Sequence, residues 1–292
     1  MAYPGSGNLP IDRAIFVGQL VKEAERVVVP SCLPYVIPDG YKLILSFQSN
    51  DIVTDIDRAN NDDQIIPTLF LPFGFVVASS QPNQLGQTDV IVAIRGTESV
   101  WEWFQDAIFL KKPFPFVADS GNTEDGFTNM YSSLSVDTGS GRDRLIDSIR
   151  QAIAELVHID ITIAGHSLGG ALATLLAMEL ASIASSDTPN GLEPPTLFTF
   201  ASPYVGDSDF VAKFNAIVTD SWRIANLSDI VTHVPPSILE GYRHVDTVYQ
   251  MNFWGQVKSD LVCLHALESY LHFLSLATPN TLSMALDCDC EA

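Results

Sequence analysis

The chain has 292 residues, 47% of them apolar and 17% charged, with a mean hydropathy of +0.18. That is enough apolar material for a large core and excludes a disordered or collagen-like chain. Lys and Arg number 15 against 35 Asp and Glu, giving a net charge of −20 and a pI near 4.4, which argues against nucleic acid, polyanions and anionic membranes as electrostatic partners. No composition seam, linker or internal repeat divides the sequence, so one domain over residues 1–292 is expected.

Apolar Ile15, Leu20, Val21, Ala24 and Val27, with charges between them, predict an amphipathic helix over residues 12–28. The stretch to about residue 60 stays unassigned, because Leu43, Ile44 and Leu45 fit a short strand or a helix equally well. Runs at 69–78 and 90–94, separated by the turn-rich SSQPNQLGQT, predict neighbouring strands. Residues 98–125 look irregular yet carry Trp101, Trp103, Phe104, Phe109, Phe114 and Phe116, rings that a plain surface loop would not keep.

Beyond them, helices are predicted at 143–156, from the glycines near 169 to about 185, at 208–217 and at 264–276, with strands at 161–164, 197–200 and 222–225. Strands alternating with helices predict an α/β fold, a mainly parallel sheet with helices on both faces. Gly169, Gly170, Thr174 and Glu179 make the stretch 168–184 a buried helix rather than a membrane span. The start lacks a basic segment followed by an apolar one, so no signal peptide is expected in this chain. Cys32, Cys263, Cys288 and Cys290 contain no CxxC pair; they allow one disulfide, require none and predict no metal site.

Chemistry concentrates at Gly165-His166-Ser167-Leu168-Gly169-Gly170, set between the β-branched Ile161-Thr162-Ile163 and the helix-prone ALATLLAMELA. GxSxG alone is only moderately specific; its strand–turn–helix setting is what makes it read as a nucleophile elbow rather than a capped turn. A serine nucleophile needs a base, and in such folds acid and histidine follow it in that order. Asp229 lies just past a predicted strand, where an α/β sheet presents acids. His233 is too close to Asp229 to be its distant partner, and His166 inside the elbow points away from the serine. On residue pattern alone, His265 and His272 remain equal candidates for the base.

Several blocks, taken in order, resemble the class 3 lipases over roughly residues 67–275. They are IRGTES at 94–99, GFTNMY at 126–131, GHSLGGALA at 165–173, FTFASPYVGD at 198–207, NLSDIVTHVPP at 226–236, GYRHVDTVY at 241–249 and HALESYLH at 265–272. The resemblance implies an α/β-hydrolase fold with Ser167 as nucleophile, Asp229 as acid and His265 as base. It also implies an oxyanion hole from the backbone N–H groups of Thr97 and Leu168, with the Thr97 hydroxyl as a further donor. Residues 98–110, with Trp101, Trp103 and Phe104, fall where the family carries a lid; the alternative for these rings is a packed cluster that never moves. Thr123 and Glu124 stand where the family has a valine–histidine pair, Asp246 stands where a glycine is usual, and the multiple-disulfide pattern and signal peptide common in secreted fungal members are not seen in this sequence.

The activity implied is cofactor-free hydrolysis of lipid esters at a lipid–water interface, most simply of triacylglycerol. A phospholipase A1 or a feruloyl-type esterase is the alternative within the family, and a catalytically silent partner-binding protein is the alternative outside enzymes.

Overall fold

The structure, a computed structural model, describes residues 8–50, 70–97, 109–156, 158–184, 192–235, 241–245, 247–258 and 260–277. Helix α1 (Ile11–Arg26) buries Ala14, Val17, Leu20, Val21 and Ala24, a three-and-four spacing that puts them on one face. Strand β1 (Tyr41–Asn50) resolves the unassigned stretch, and β2 (Phe70–Ser79) and β3 (Thr88–Ile94) form the expected adjacent pair. The Asn83 side chain accepts from the N–H groups of Leu85 and Gln87 (2.9 and 3.0 Å) to close their turn.

Short strands β4 (Lys111–Pro113) and β5 (Asn122–Glu124) lead into helix α2 (Asp125–Ser133), then β6 (Ser135–Asp137), β7 (Arg142–Arg144) and helix α3 (Leu145–Ile153). Next come β8 (Ile159–His166), helix α4 (Leu168–Ala184), β9 (Thr196–Phe200), β10 (Gly206–Asp207), helix α5 (Ser208–Ile217) and β11 (Ser221–Asn226). A 3₁₀ turn (Ile230–His233), β12 (Tyr242–Arg243), β13 (Val248–Met251) and helices α6 (Leu261–His265) and α7 (Leu267–Ser275) complete the described chain.

The main sheet runs β13-β11-β9-β8-β3-β2-β1-β6-β7. Pairings from the β13 edge to the central β3 are parallel; those from β3 through β7 are antiparallel. Period-two alternation divides the strands between two cores. Val76, Val90, Val92, Ile161 and Ile163 face α2–α5, whereas Phe75, Val77, Ile91, Ala93 and Ala164 face α1, α6 and α7. Helix α4 is buried without a break from Leu168 through Ala181, which explains why it reads as apolar all round. Its one charge, Glu179, is met by both terminal nitrogens of Arg144 (3.0 Å each) and by the Tyr131 hydroxyl, so the buried carboxylate is paired. Among the described residues no helix is long and apolar enough to cross a membrane.

Three boundaries differ from expectation for visible reasons. The helix expected at 143–156 begins at Leu145, because Arg142–Arg144 pairs with Ser135–Asp137 as an edge strand. The irregular 109–125 region contributes β4 and β5 to a small second sheet, β12-β10-β5-β4, and Phe114 packs in the core against Phe116, Tyr131 and Phe210. The helix expected at 264–276 is two helices, broken at Ala266, whose backbone (φ −56°, ψ 132°) is extended. Asp260 caps the first of them by accepting from the Cys263 N–H at 2.7 Å. Cys263 is disulfide-bonded and Cys32 is a free thiol.

Candidate active site

Three loops meet at the C-terminal edge of the parallel strands, where such sheets present their reactive groups. Strand β8 ends at His166, and Ser167 follows with φ +56°, a left-handed conformation that a non-glycine residue adopts only when its surroundings enforce it. Its N–H is fixed by the Phe200 carbonyl (2.9 Å), and α4 starts at the next residue. The Leu168 N–H is thus in the first turn of a helix, where no intrahelical acceptor exists and the dipole favours negative charge.

Asp229 follows β11 and is 1% exposed; its Oδ1 accepts from the Val231 N–H (3.0 Å). His265 closes α6 and is 7% exposed. Its Nδ1 lies 2.8 Å from Asp229 Oδ2 and its Nε2 lies 2.9 Å from Ser167 Oγ. A carboxylate only accepts, so Nδ1 carries the proton and Nε2 is left to accept from the serine hydroxyl. Burial holds His265 below its ordinary pKa against the upward pull of Asp229, so the imidazole is neutral and ready to take a proton.

The structure therefore brings Ser167, Asp229 and His265 together, and of the two histidines left open by residue pattern His265 is the one placed beside Ser167 and Asp229. His272 lies on α7 with its ring edge against Phe273. His244 is stacked on Tyr204 and bonded to the Thr232 carbonyl, and His233 is exposed. His166 turns from the serine toward Glu25 (Nδ1 to Oε1, 2.7 Å).

At the end of β3, the buried Arg95 donates to the Pro72 and Gly96 carbonyls (2.8 and 3.0 Å) and fixes the segment before Thr97. Gly96 packs so closely that a Cβ there would lie 3.3 Å from Ser167 Cβ, which puts Thr97 beside the elbow. A cavity of about 230 Å³ borders the site, lined by Glu25, Arg95, Thr97, His166, His265 and Glu268. Of the expected lid at 98–110, Trp101, Trp103 and Phe104 lie outside the described residues, whereas Leu110 is exposed.

Residue pattern missed Tyr270, whose hydroxyl donates to Asp229 Oδ2 (2.8 Å) and accepts from the Asn226 N–H (2.9 Å). It sits five residues past His265 in the sequence, and nothing short of the break at Ala266 signals that it faces the acid.

The two departures at 123 and 124 are absorbed locally. The Thr123 and Thr128 hydroxyls bond each other (2.6 Å), and Glu124 caps α2 by accepting from the Phe127 N–H (2.6 Å). Burial pushes the Glu124 carboxyl up to about 7 from 4.5. A carboxyl raised on folding stabilises the native state when protonated, and that contribution is lost as pH rises between the two values, here about 3 kcal/mol. Glu124→Gln is therefore expected to flatten the fall in stability between pH 5 and 8, read from urea unfolding at both. An unchanged pH dependence would show that Glu124 is ionised throughout.

Comparison with known proteins matches residues 91–238, just over half the chain, to the family described as Lipase (class 3). The chain belongs to the class 3 lipases. Among relatives of this class 3 lipase chain, Phospholipase A1-Ialpha2, chloroplastic, from Arabidopsis thaliana is 28% identical over 74% of the chain and 50% of the relative. Phospholipase A1-II 6 from Oryza sativa subsp. japonica is 30% identical over 68% of the chain and 54% of the relative. The chain spans about half the length of the curated relatives it matches.

Its α/β-hydrolase fold is shared with the Rhizomucor miehei lipase in its propeptide complex (TM-score 0.59, 20% identity, 86% of this chain and 70% of that one). Lipase II from Rhizopus niveus is similar too (TM-score 0.56, 20% identity, 83% of this chain and 80% of that one).

Proposed function

We propose that this class 3 lipase chain hydrolyses acyl esters of glycerolipids, with Ser167 as nucleophile, His265 as base and then acid, and Asp229 as the orienting carboxylate. The observation that carries the reading is the hydrogen-bonded series Ser167–His265–Asp229 at a strained strand-to-helix turn. His265 removes the Ser167 proton as Oγ attacks the ester carbonyl, and Asp229 stabilises the imidazolium that results. The backbone N–H groups of Thr97 and Leu168 receive the negative charge of the tetrahedral intermediate, each such donor being worth about 3 kcal/mol. Collapse expels the alcohol, which takes its proton from His265, and water then releases the fatty acid by the same steps in reverse order.

The substrate class draws on two supports. Relatives named phospholipase A1, and the Arabidopsis thaliana Galactolipase DONGLE, chloroplastic, which is 28% identical over 80% of this chain, favour polar glycerolipids over triacylglycerol. Exposed apolar side chains on the elements that carry the triad favour an apolar rim: Leu261 and Val262 on the helix that carries His265, and Leu227 and Ile230 in the segment that carries Asp229. Such a rim on an acidic protein suits zwitterionic or neutral lipid better than anionic lipid.

Rates on phosphatidylcholine, monogalactosyldiacylglycerol, emulsified triolein and methyl ferulate test the reading. Turnover of the two polar glycerolipids above the rest is expected, and turnover of methyl ferulate alone would sink it. Stoichiometric labelling of Ser167 by a phosphonate ester is also expected; its failure would favour a silent hydrolase fold.

A further inference from the structure

The break at Ala266 leaves the His265 carbonyl without the acceptor role it would have in a continuous helix, because the Ser269 N–H donates to Ala266 O instead (3.0 Å). That carbonyl lies 2.9 Å from His166 Nε2, and His166 Nδ1 lies 2.7 Å from Glu25 Oε1. A carbonyl oxygen only accepts, so Nε2 carries a hydrogen; with Glu25 ionised, Nδ1 carries one too. A ring protonated at both nitrogens is an imidazolium, and its centroid is 4.7 Å from that of the His265 ring.

We propose that Glu25 and His166 are positioning residues for the base: an ion pair whose second N–H pins the backbone of His265 and whose positive ring keeps the His265 imidazole unprotonated. The proposal rests on the reading of Ser167 and His265 as nucleophile and base.

Groups from every neighbouring element bear on it. Glu25 comes from α1, Arg95 from the end of β3, Asp229 from the turn after β11, and Glu268, which pairs with Lys22 (3.1 Å), and Tyr270 from α7. Against the penalty of burial, Glu25 lifts His166 above its ordinary pKa. On His265, burial acts downward and the His166 charge adds to it, with Asp229 opposing. The Glu25 carboxylate also raises His265, but it stands behind the His166 ring and acts more weakly. A base beside a fixed cation stays free at mildly acidic pH, and once protonated it is a stronger acid toward the departing alkoxide.

Glu25→Gln separates charge from hydrogen bond, because a neutral His166 still donates from Nε2 while Nδ1 accepts from the amide. Nitrogen-15 NMR of the wild-type chain should show His166 protonated at both nitrogens at pH 7.5. In Glu25→Gln its titration should fall by about one unit or more, and that of His265 should rise by about half a unit or more. With p-nitrophenyl butyrate, the acid limb of kcat/KM should move to higher pH by the same amount, and His166→Gln should move it likewise. A singly protonated His166 in the wild type, or variants that lower the rate by one factor at every pH with the limb unmoved, would overturn the proposal. The histidine titrations need no turnover, so a chain inactive on every ester would refute the functional reading and leave the ion pair to be judged by NMR alone.

Discussion

Replacing His265 by Ala is expected to lower kcat by about six orders of magnitude, whereas His272→Ala should retain most of the turnover. The asymmetry comes from geometry, since both histidines lie in the same segment and His265 is the one that reaches Ser167 and Asp229, at 2.9 and 2.8 Å. Without the imidazole, Ser167 Oγ has no acceptor for its proton and attack must proceed from the neutral hydroxyl. Substrate binding should suffer far less, so the loss belongs in kcat rather than KM. The half-buried His272 lies on α7 with its ring edge against Phe273. Steady-state kinetics of the two variants on one soluble ester checks this, and a loss confined to His272→Ala would refute the assignment of the base.

That distinction marks where the sequence stops being informative. Ser167 and Asp229 were legible because each sits at a strand end, and strand ends are written in runs such as Ile161–Ile163 and Trp222–Ala225. The proposed base was not, because HALESYLH has continuous helical spacing, and the break at Ala266 comes with tertiary contacts: Asn226 Nδ2 donates to the Leu264 carbonyl (3.0 Å) and His166 binds that of His265 (2.9 Å). Partners separated by 141 residues, such as Glu25 and His166, leave no periodic trace at all. Strand β1 was obscured for a different reason. Leu43 and Leu45 pair with Val77 and Val76, which face opposite cores, and Ile44 and Leu45 both pack on the Val76 side, so a register shift interrupts the plain alternation that identifies a strand.

The second large effect is expected at the glycines of the elbow. A Cβ on Gly169 would lie 2.4 Å from the Arg95 carbonyl oxygen and 2.5 Å from that of Ile94, and a Cβ on Gly165 would lie 2.1 Å from the Gly169 carbonyl oxygen. These neighbours are backbone atoms in packed elements, so no side-chain rotation relieves the overlap; α4 must separate from the end of β3 for Gly169→Ala and from β8 for Gly165→Ala. Gly169→Ala and Gly165→Ala are each expected to cost more than about 3 kcal/mol, above the usual range for overpacking. Gly141→Ala, at a position where a Cβ meets nothing within 4 Å, should be nearly neutral. Urea unfolding of the three variants measures the contrast, and a Gly169→Ala midpoint equal to wild type would show that the contact yields cheaply. The cost is tied to the chemistry, since the strand that must retreat from Gly169 continues through Arg95 and Gly96 into Thr97. Any Gly169→Ala protein that still folds should therefore lose rate beyond its loss of stability, because the Thr97 N–H is carried away from the oxygen that charges when Ser167 attacks.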